Sequence, residues 1–145
     1  MSINEIYNEK LLKLISSSVC DLSNANLEEL DSNIFNFNNI QELNLSDNKL
    51  SSIPNNIDSL INLKWLILSD NNLNSLPETI GSLVNLEYLY IAGNNLNNLP
   101  NSIINLKKLK YMSLLDNDNL VLSKKQKKWI SKLESKGSKI LKVKL

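Results

Sequence analysis

Four features of this 145-residue chain offer chemistry: a single thiol, a pair of equivalent carboxylates, a band of aromatic side chains and a run of lysines. What is missing narrows their use. The sequence contains no His, which removes Ser-His-Asp and Cys-His catalysis, imidazole proton transfer and His metal ligation. All 16 basic residues are Lys, so there is no arginine finger and no bidentate guanidinium clamp for phosphate or guanine. Cys20 occupies an apolar position of a repeating pattern and reads as a buried, inert thiol rather than a nucleophile. Asp47 and Asp70 lie 23 residues apart and can approach each other on adjacent strands, but no other hard oxygen ligands accompany them. No catalytic residue, metal site or cofactor is expected, and the chain is not expected to be an enzyme.

The aromatics and carboxylates acquire meaning only from the elements that hold them. Residues 40–62, 63–85 and 86–108 align without gaps as IQELNLSDNKLSSIPNNIDSLIN, LKWLILSDNNLNSLPETIGSLVN and LEYLYIAGNNLNNLPNSIINLKK. All three prolines, Pro54, Pro77 and Pro100, share one repeat position, and Asn48, Asn71 and Asn94 share another. Residues 17–39 extend the register upstream as a degenerate repeat, with Ala25 in the Asn position and Asp31 in the Pro position. Downstream, Leu109, Met112, Leu114 and Asn117 restart it before a one-residue insertion ahead of Leu120, and Ile140, Val143 and Leu145 fit a last partial unit.

Within a unit, Leu43-Asn44-Leu45 alternates apolar and outward residues at the period of a strand with one buried face. The following NxLxxLPxxIxxL has wider apolar spacing and a Pro without an amide hydrogen, which suits an irregular or short-helical return. One such unit cannot bury its own leucines, but a stack of them can. Hence 29 of the residues are Leu. The column Asn48, Asn71, Asn94 and Asn117 supplies side chains with both a donor and an acceptor to satisfy backbone groups inside each turn. Most of the other Asn residues, among 25 in all, read as codon bias at convex and turn positions.

The pattern LxxLxLxxNxLxxLPxxIxxL resembles the leucine-rich repeat, in the 23-residue form of intracellular Ras-associated and plant Ras-group repeat proteins. The resemblance is strong over 17–122 and implies an α/β fold: a right-handed solenoid with a parallel concave sheet of about six strands and a helical cap at each end. The expected organisation is one domain over 1–145, with an N-terminal cap helix in 1–16, repeats in 17–122, and a cap helix and final strand in 123–145. Ser2 and Glu5 fit a capping box ahead of an apolar face over 3–15. Ser123 is placed to cap a helix over 124–136 that Gly137 stops. With both ends capped, the chain reads as self-contained rather than as part of a larger array, with no signal peptide at MSINEIYNEK.

On such a sheet the residues flanking the second Leu project from the concave face. One column runs Val19, Glu42, Trp65, Tyr88, Tyr111, Lys142, and the other runs Asp21, Asn44, Ile67, Tyr90, Ser113, Lys144. Trp65, Tyr88, Tyr90 and Tyr111 thus fall on three adjacent strands with Ile67, where the core does not require them. Six strands about 4.8 Å apart give a floor of roughly 25 Å, room for a peptide or a helix. Aromatic anchors within a polar rim (Glu42, Asn44, Asp47, Asp70, Glu87) are the composition of a protein-binding hot spot, although cross-strand stacking alone also accounts for them.

Net charge is +1, but 1–106 carries 4 Lys against 12 acids and 107–145 carries 12 Lys against 3 acids. Lys124, Lys128, Lys132 and Lys136 recur at i,i+4, placed opposite Trp129 and Leu133. This is either a solvated helix face or a docking surface for an acidic partner or an anionic surface. The expected function is therefore a non-catalytic protein–protein interaction module that binds a peptide, helix or small domain on its concave face. The alternatives are an electrostatic adaptor acting through the Lys-rich cap and a self-associating structural protein. No small-molecule substrate is expected, and nucleic acid and membrane surfaces are disfavoured as partners. The expected state is an intracellular, cytoplasmic monomer, with dimerisation through the C-terminal edge strand or the concave face as the other option.

Overall fold

The computed structural model describes residues 17–142, together with 9, 12 and 13. Six three-residue strands form one parallel sheet in sequence order: β1 (Val19–Asp21), β2 (Glu42–Asn44), β3 (Trp65–Ile67), β4 (Tyr88–Tyr90), β5 (Tyr111–Ser113) and β6 (Lys139–Leu141). The pairing is in register at 23-residue steps from β1 to β5, so Cys20, Leu43, Leu66, Leu89 and Met112 form one buried column. Cys20 keeps its thiol inside that column.

Each of the four returns from β1 to β5 carries a five-residue 3₁₀ helix: Ser32–Asn36, Asn55–Ser59, Glu78–Ser82 and Asn101–Asn105. The position before each is the one that holds Pro54, Pro77 and Pro100, whose φ of −61°, −69° and −61° is what the pyrrolidine ring imposes. In the first repeat Asp31 reaches the same backbone conformation and accepts a hydrogen bond from the Asn33 amide through its side chain. The degenerate repeat therefore substitutes a capping side chain for a rigid ring.

The Asn column is a ladder. Asn71 Nδ2 donates to the carbonyls of Leu45 (2.9 Å) and Leu68 (3.1 Å), and its Oδ1 accepts from the Leu50 amide (3.0 Å). Asn48, Asn94 and Asn117 repeat the arrangement one coil apart. A second ladder lies among residues whose sequence reading was codon bias. Asn39, Asn62 and Asn85 each donate from Nδ2 to a carbonyl of the preceding coil, those of Ser17, Asn38 and Ile61, at 2.7–3.0 Å. Their 23-residue spacing was the available signal.

The N-terminal helix expected over 3–15 lies almost wholly outside the described residues. At the other end a helix spans Lys124–Ser135, begun by a complete Ser123/Gln126 capping box. It is stopped by Gly137 at φ +95°, with Ser138 N–H reaching the Leu133 carbonyl. Gln126 Nε2 donates to the carbonyls of Leu99 and Pro100, and Trp129 Nε1 to that of Leu106, which docks the helix across the last repeat. Among the described residues no helix is long and apolar enough to cross a membrane.

The last strand corrects the sequence reading. Ile140 pairs with Met112, at the second apolar position of the repeat rather than the first. Only Ser138 separates the helix stop from the sheet, and its Oγ donates to the Leu109 carbonyl (2.6 Å), so the chain joins β5 at once. Lys139 and Leu141 therefore take the concave positions expected for Lys142 and Lys144. Lys142 turns back to pair with Glu134 (2.8 Å), and Lys144 is outside the described residues.

Candidate functional site

Strand register places Glu42, Trp65, Tyr88, Tyr111 and Lys139 in one row across the concave face, and Asn44, Ile67, Tyr90, Ser113 and Leu141 in the next. Parallel strands about 4.8 Å apart bring equivalent side chains close to aromatic stacking distance. The rings respond accordingly. Trp65 and Tyr88 stack with centroids 3.6 Å apart and planes 11° from parallel, and Tyr90 meets Tyr111 at 4.8 Å with a 31° tilt. The Tyr90–Tyr111 contact and a Trp65–Tyr90 contact at 6.3 Å are both diagonal to the strand pairing and join the two rows. The four rings thus form one ladder over β3, β4 and β5, with Ile67 beside it.

Stacking determines what the ladder offers to a ligand. Ring faces are turned largely toward one another, so ring edges, phenol hydroxyls and the indole N–H are left to meet a partner. All five side chains are half-buried, which leaves an amphipathic floor rather than an oily one. Burial pushes the Tyr90 phenol above its ordinary pKa, and the neighbouring Tyr111 and Tyr88 add to this, so the group is a neutral donor throughout the physiological range.

The rim residues differ among themselves. Glu42 is half-buried beside Trp65. Asn44 has its Oδ1 occupied by the amide (3.0 Å) and hydroxyl (2.9 Å) of Ser46, so only its amide nitrogen faces a ligand. Asp47 and Asp70 are exposed at the turns that leave β2 and β3, with φ of +55° and +57°. Gly93 and Asp116 hold the same position with φ of +63° and +54°, so the column is filled by residue types that tolerate the left-handed region. Backbone geometry accounts for Asp47 and Asp70 without a ligand. Among the described residues no cluster of His, Cys, Asp or Glu is arranged to hold a metal ion.

Sequence reasoning missed Lys139 and Leu141, which close the two rows at β6, and the pair formed by Lys110 with Glu87 (2.6 Å) beside β4. That hydrogen bond lowers the Glu87 pKa and raises that of Lys110. The lysines of the C-terminal helix are also placed differently from expectation. Lys128, Lys132 and Lys136 do not lie opposite Trp129 and Leu133 but flank them on one groove, because an i,i+4 series drifts around the helix toward that side.

A family described as a leucine-rich repeat region matches residues 54–135, and one described as a leucine rich repeat matches 39–60. No curated protein matches the chain. Among solved structures, a leucine-rich repeat protein of Leptospira interrogans is 39% identical, with 77% of this chain and 28% of that one covered and a TM-score of 0.65. The ectodomain of the receptor kinase SOBIR1 from Arabidopsis thaliana is 27% identical, with 72% and 57% covered and a TM-score of 0.61. An internalin of Listeria monocytogenes, at 20% identity, 74% and 29% coverage and a TM-score of 0.60, shares the fold. This chain spans less than two thirds of the length of each of these three. The family matches run through the strands that carry the aromatic ladder and through the turns that carry both Asn ladders, and the chain belongs to the leucine-rich repeat family.

Proposed function

We propose that this chain is a non-catalytic binding module that holds a peptide, a helix or a small domain of another protein against its concave face. Leucine-rich repeat proteins generally serve as protein-interaction scaffolds. The observation that carries the specific reading is the ladder of Trp65, Tyr88, Tyr90 and Tyr111, half-buried on a face where the core has no use for it. Large rings already fixed by their neighbours lose little entropy when a partner covers them, which is what makes Trp and Tyr effective anchors. The chain acts as a monomeric, intracellular adaptor in this reading. In a viral or pathogenic source the same face would mimic a host interaction.

The test is capture of the partner by the wild-type chain, followed by comparison of the Trp65→Ala and Tyr88→Ala variants. Binding should fall by about tenfold or more while the melting temperature moves by a few degrees. Unchanged binding with a lowered melting temperature would make the ladder a structural stack. Sedimentation at several concentrations checks the monomer.

A further inference from the structure

A second surface with its own chemistry lies between the C-terminal helix and the last repeat. Ile104, Trp129 and Leu133 floor a groove of about 340 Å³. Its rim is made of five lysines: Lys107 on the repeat side and Lys125, Lys128, Lys132 and Lys136 along the helix. Among the described residues no carboxylate lines it and none of the five forms an ion pair. From Lys125 to Lys136 the rim runs about 16 Å at 1.5 Å per residue, the length of a short peptide segment rather than of a compact metabolite.

The arrangement works against the isolated helix. Lys124 and Lys125 stand in the first turn, where the helix dipole disfavours cations and no acidic residue is present. Lys128, Lys132 and Lys136 repel one another at i,i+4. Lys132 in the last turn and Lys136 at the C-cap complement the dipole, so the charge left unrelieved is that of Lys124, Lys125 and Lys128. Carboxylates arriving from outside would relieve it together with the i,i+4 repulsion. The floor selects among anionic partners. Trp129 and Leu133 are recessed, exposed at only 8% and 3%, so they do not project into a bilayer and must be met by a side chain that reaches down to them.

We propose that this groove binds an acidic segment of a partner protein, with one bulky apolar side chain seated between Ile104 and Trp129 and flanking carboxylates on the lysine rim. The site is independent of the concave ladder and stands or falls separately from it.

The test is selection from a random twelve-residue peptide library against the full chain, followed by affinity measurement of the synthetic consensus peptide by fluorescence anisotropy. The expected consensus is a bulky apolar residue bracketed by Asp or Glu. Its binding should weaken by about tenfold or more in the Lys125→Glu/Lys128→Glu/Lys132→Glu variant and on raising salt from about 0.05 to 0.3 M. It should persist in Trp65→Ala/Tyr88→Ala, which removes the concave anchors. The three lysines are exposed, so the triple variant should fold, and its circular dichroism verifies this. A consensus without acids, or binding that survives the lysine reversal, overturns the proposal. So does tighter binding to phosphatidylserine vesicles than to the peptide, an outcome that would assign the lysines to a membrane surface.

Discussion

The repeat body and the C-terminal cap solve the same problem by opposite means. In the body every contact recurs at 23 residues, so Leu66 has an equivalent leucine above it and Leu43 below, and one Asn per turn closes the backbone. In the cap only β6 continues the ladder, and the contacts that dock the helix do not recur. Gln126, Trp129 and Ser138 each make a bond found once among the described residues, to the carbonyls of Leu99, Leu106 and Leu109. A periodic body distributes its stability over many equivalent interfaces, whereas a cap concentrates it in single contacts. The two should therefore respond differently to loss of comparable groups.

The largest expected effect is in the body's core column. Leu66→Ala, fully buried with strands on both sides, should cost about 3–5 kcal/mol, while Ile140→Ala, in the same column but on the edge strand, should cost about 2–3 kcal/mol. Urea denaturation measures both. Equal losses would show that the edge position is as tightly packed as the middle.

Next are the buried amides. Asn71→Ala removes bonds to the carbonyls of Leu45, Leu68 and Ser69, the first two of which keep a bond from Asn48 and Asn94, and leaves the buried Leu50 amide without its acceptor. It should cost about 2–3 kcal/mol, against about 1–2 kcal/mol for Gln126→Ala, whose acceptors lie on the margin of the last repeat. Hydrogen exchange sharpens the distinction. The Asn71 variant should lose protection at Leu50 and in both neighbouring coils, and the Gln126 variant only near the helix start.

The two left-handed glycines give a smaller contrast. Gly137→Ala meets no atom within 4 Å of the added Cβ and incurs only the φ penalty, about 1 kcal/mol. Gly93→Ala pays a similar penalty and also crowds the Asp70 carboxylate, so it should be the worse of the two, with Asp70→Ala restoring part of the difference. Thermal melts of the two single variants and the double variant check the order.

That contrast also explains what could be read from the sequence. Wherever a structural role repeats, its residue type repeats, and the spacing of Asn48, Asn71, Asn94 and Asn117 announced the ladder before any coordinate. The register of β1 to β5 and the grouping of Trp65, Tyr88, Tyr90 and Tyr111 followed from the same spacing. The cap was legible only in its local signals, Ser123 and Gly137. Its docking and the register of β6 depend on bonds made once, such as Ser138 to Leu109, which leave no periodic trace. The lysine-rimmed groove was hidden for a related reason: it forms between Lys107 and a helix whose approach to the repeats had no sequence signature.

Acid should find the body through two carboxylates. Glu78 accepts the Asn101 and Ser102 amides at the start of the next 3₁₀ helix, both at 2.9 Å, and these bonds hold its pKa below 4.5. Glu87 is lowered chiefly by the hydrogen bond from Lys110. A carboxylate whose folded pKa is depressed contributes stability that is complete above its unfolded value and drains away as pH falls from about 4.5 through the folded value. Lys110 and Tyr90 are shifted upward, so their contributions are complete below their unfolded values of 10.5 and 10.0 and are lost as pH rises beyond them. The expected stability profile is flat through neutrality and falls at both ends. Glu78 and Lys110 are exposed and Glu87 is half-buried at the surface, so each effect should be small and the Glu87–Lys110 part should shrink with salt. Melting temperatures of wild type and Glu78→Gln between about pH 3 and 6 provide the measurement, since the two curves should converge as Glu78 becomes protonated. A constant offset across that range would mean that the inter-coil bonds of Glu78 persist in its neutral form, and that the body couples its coils through geometry there rather than through charge.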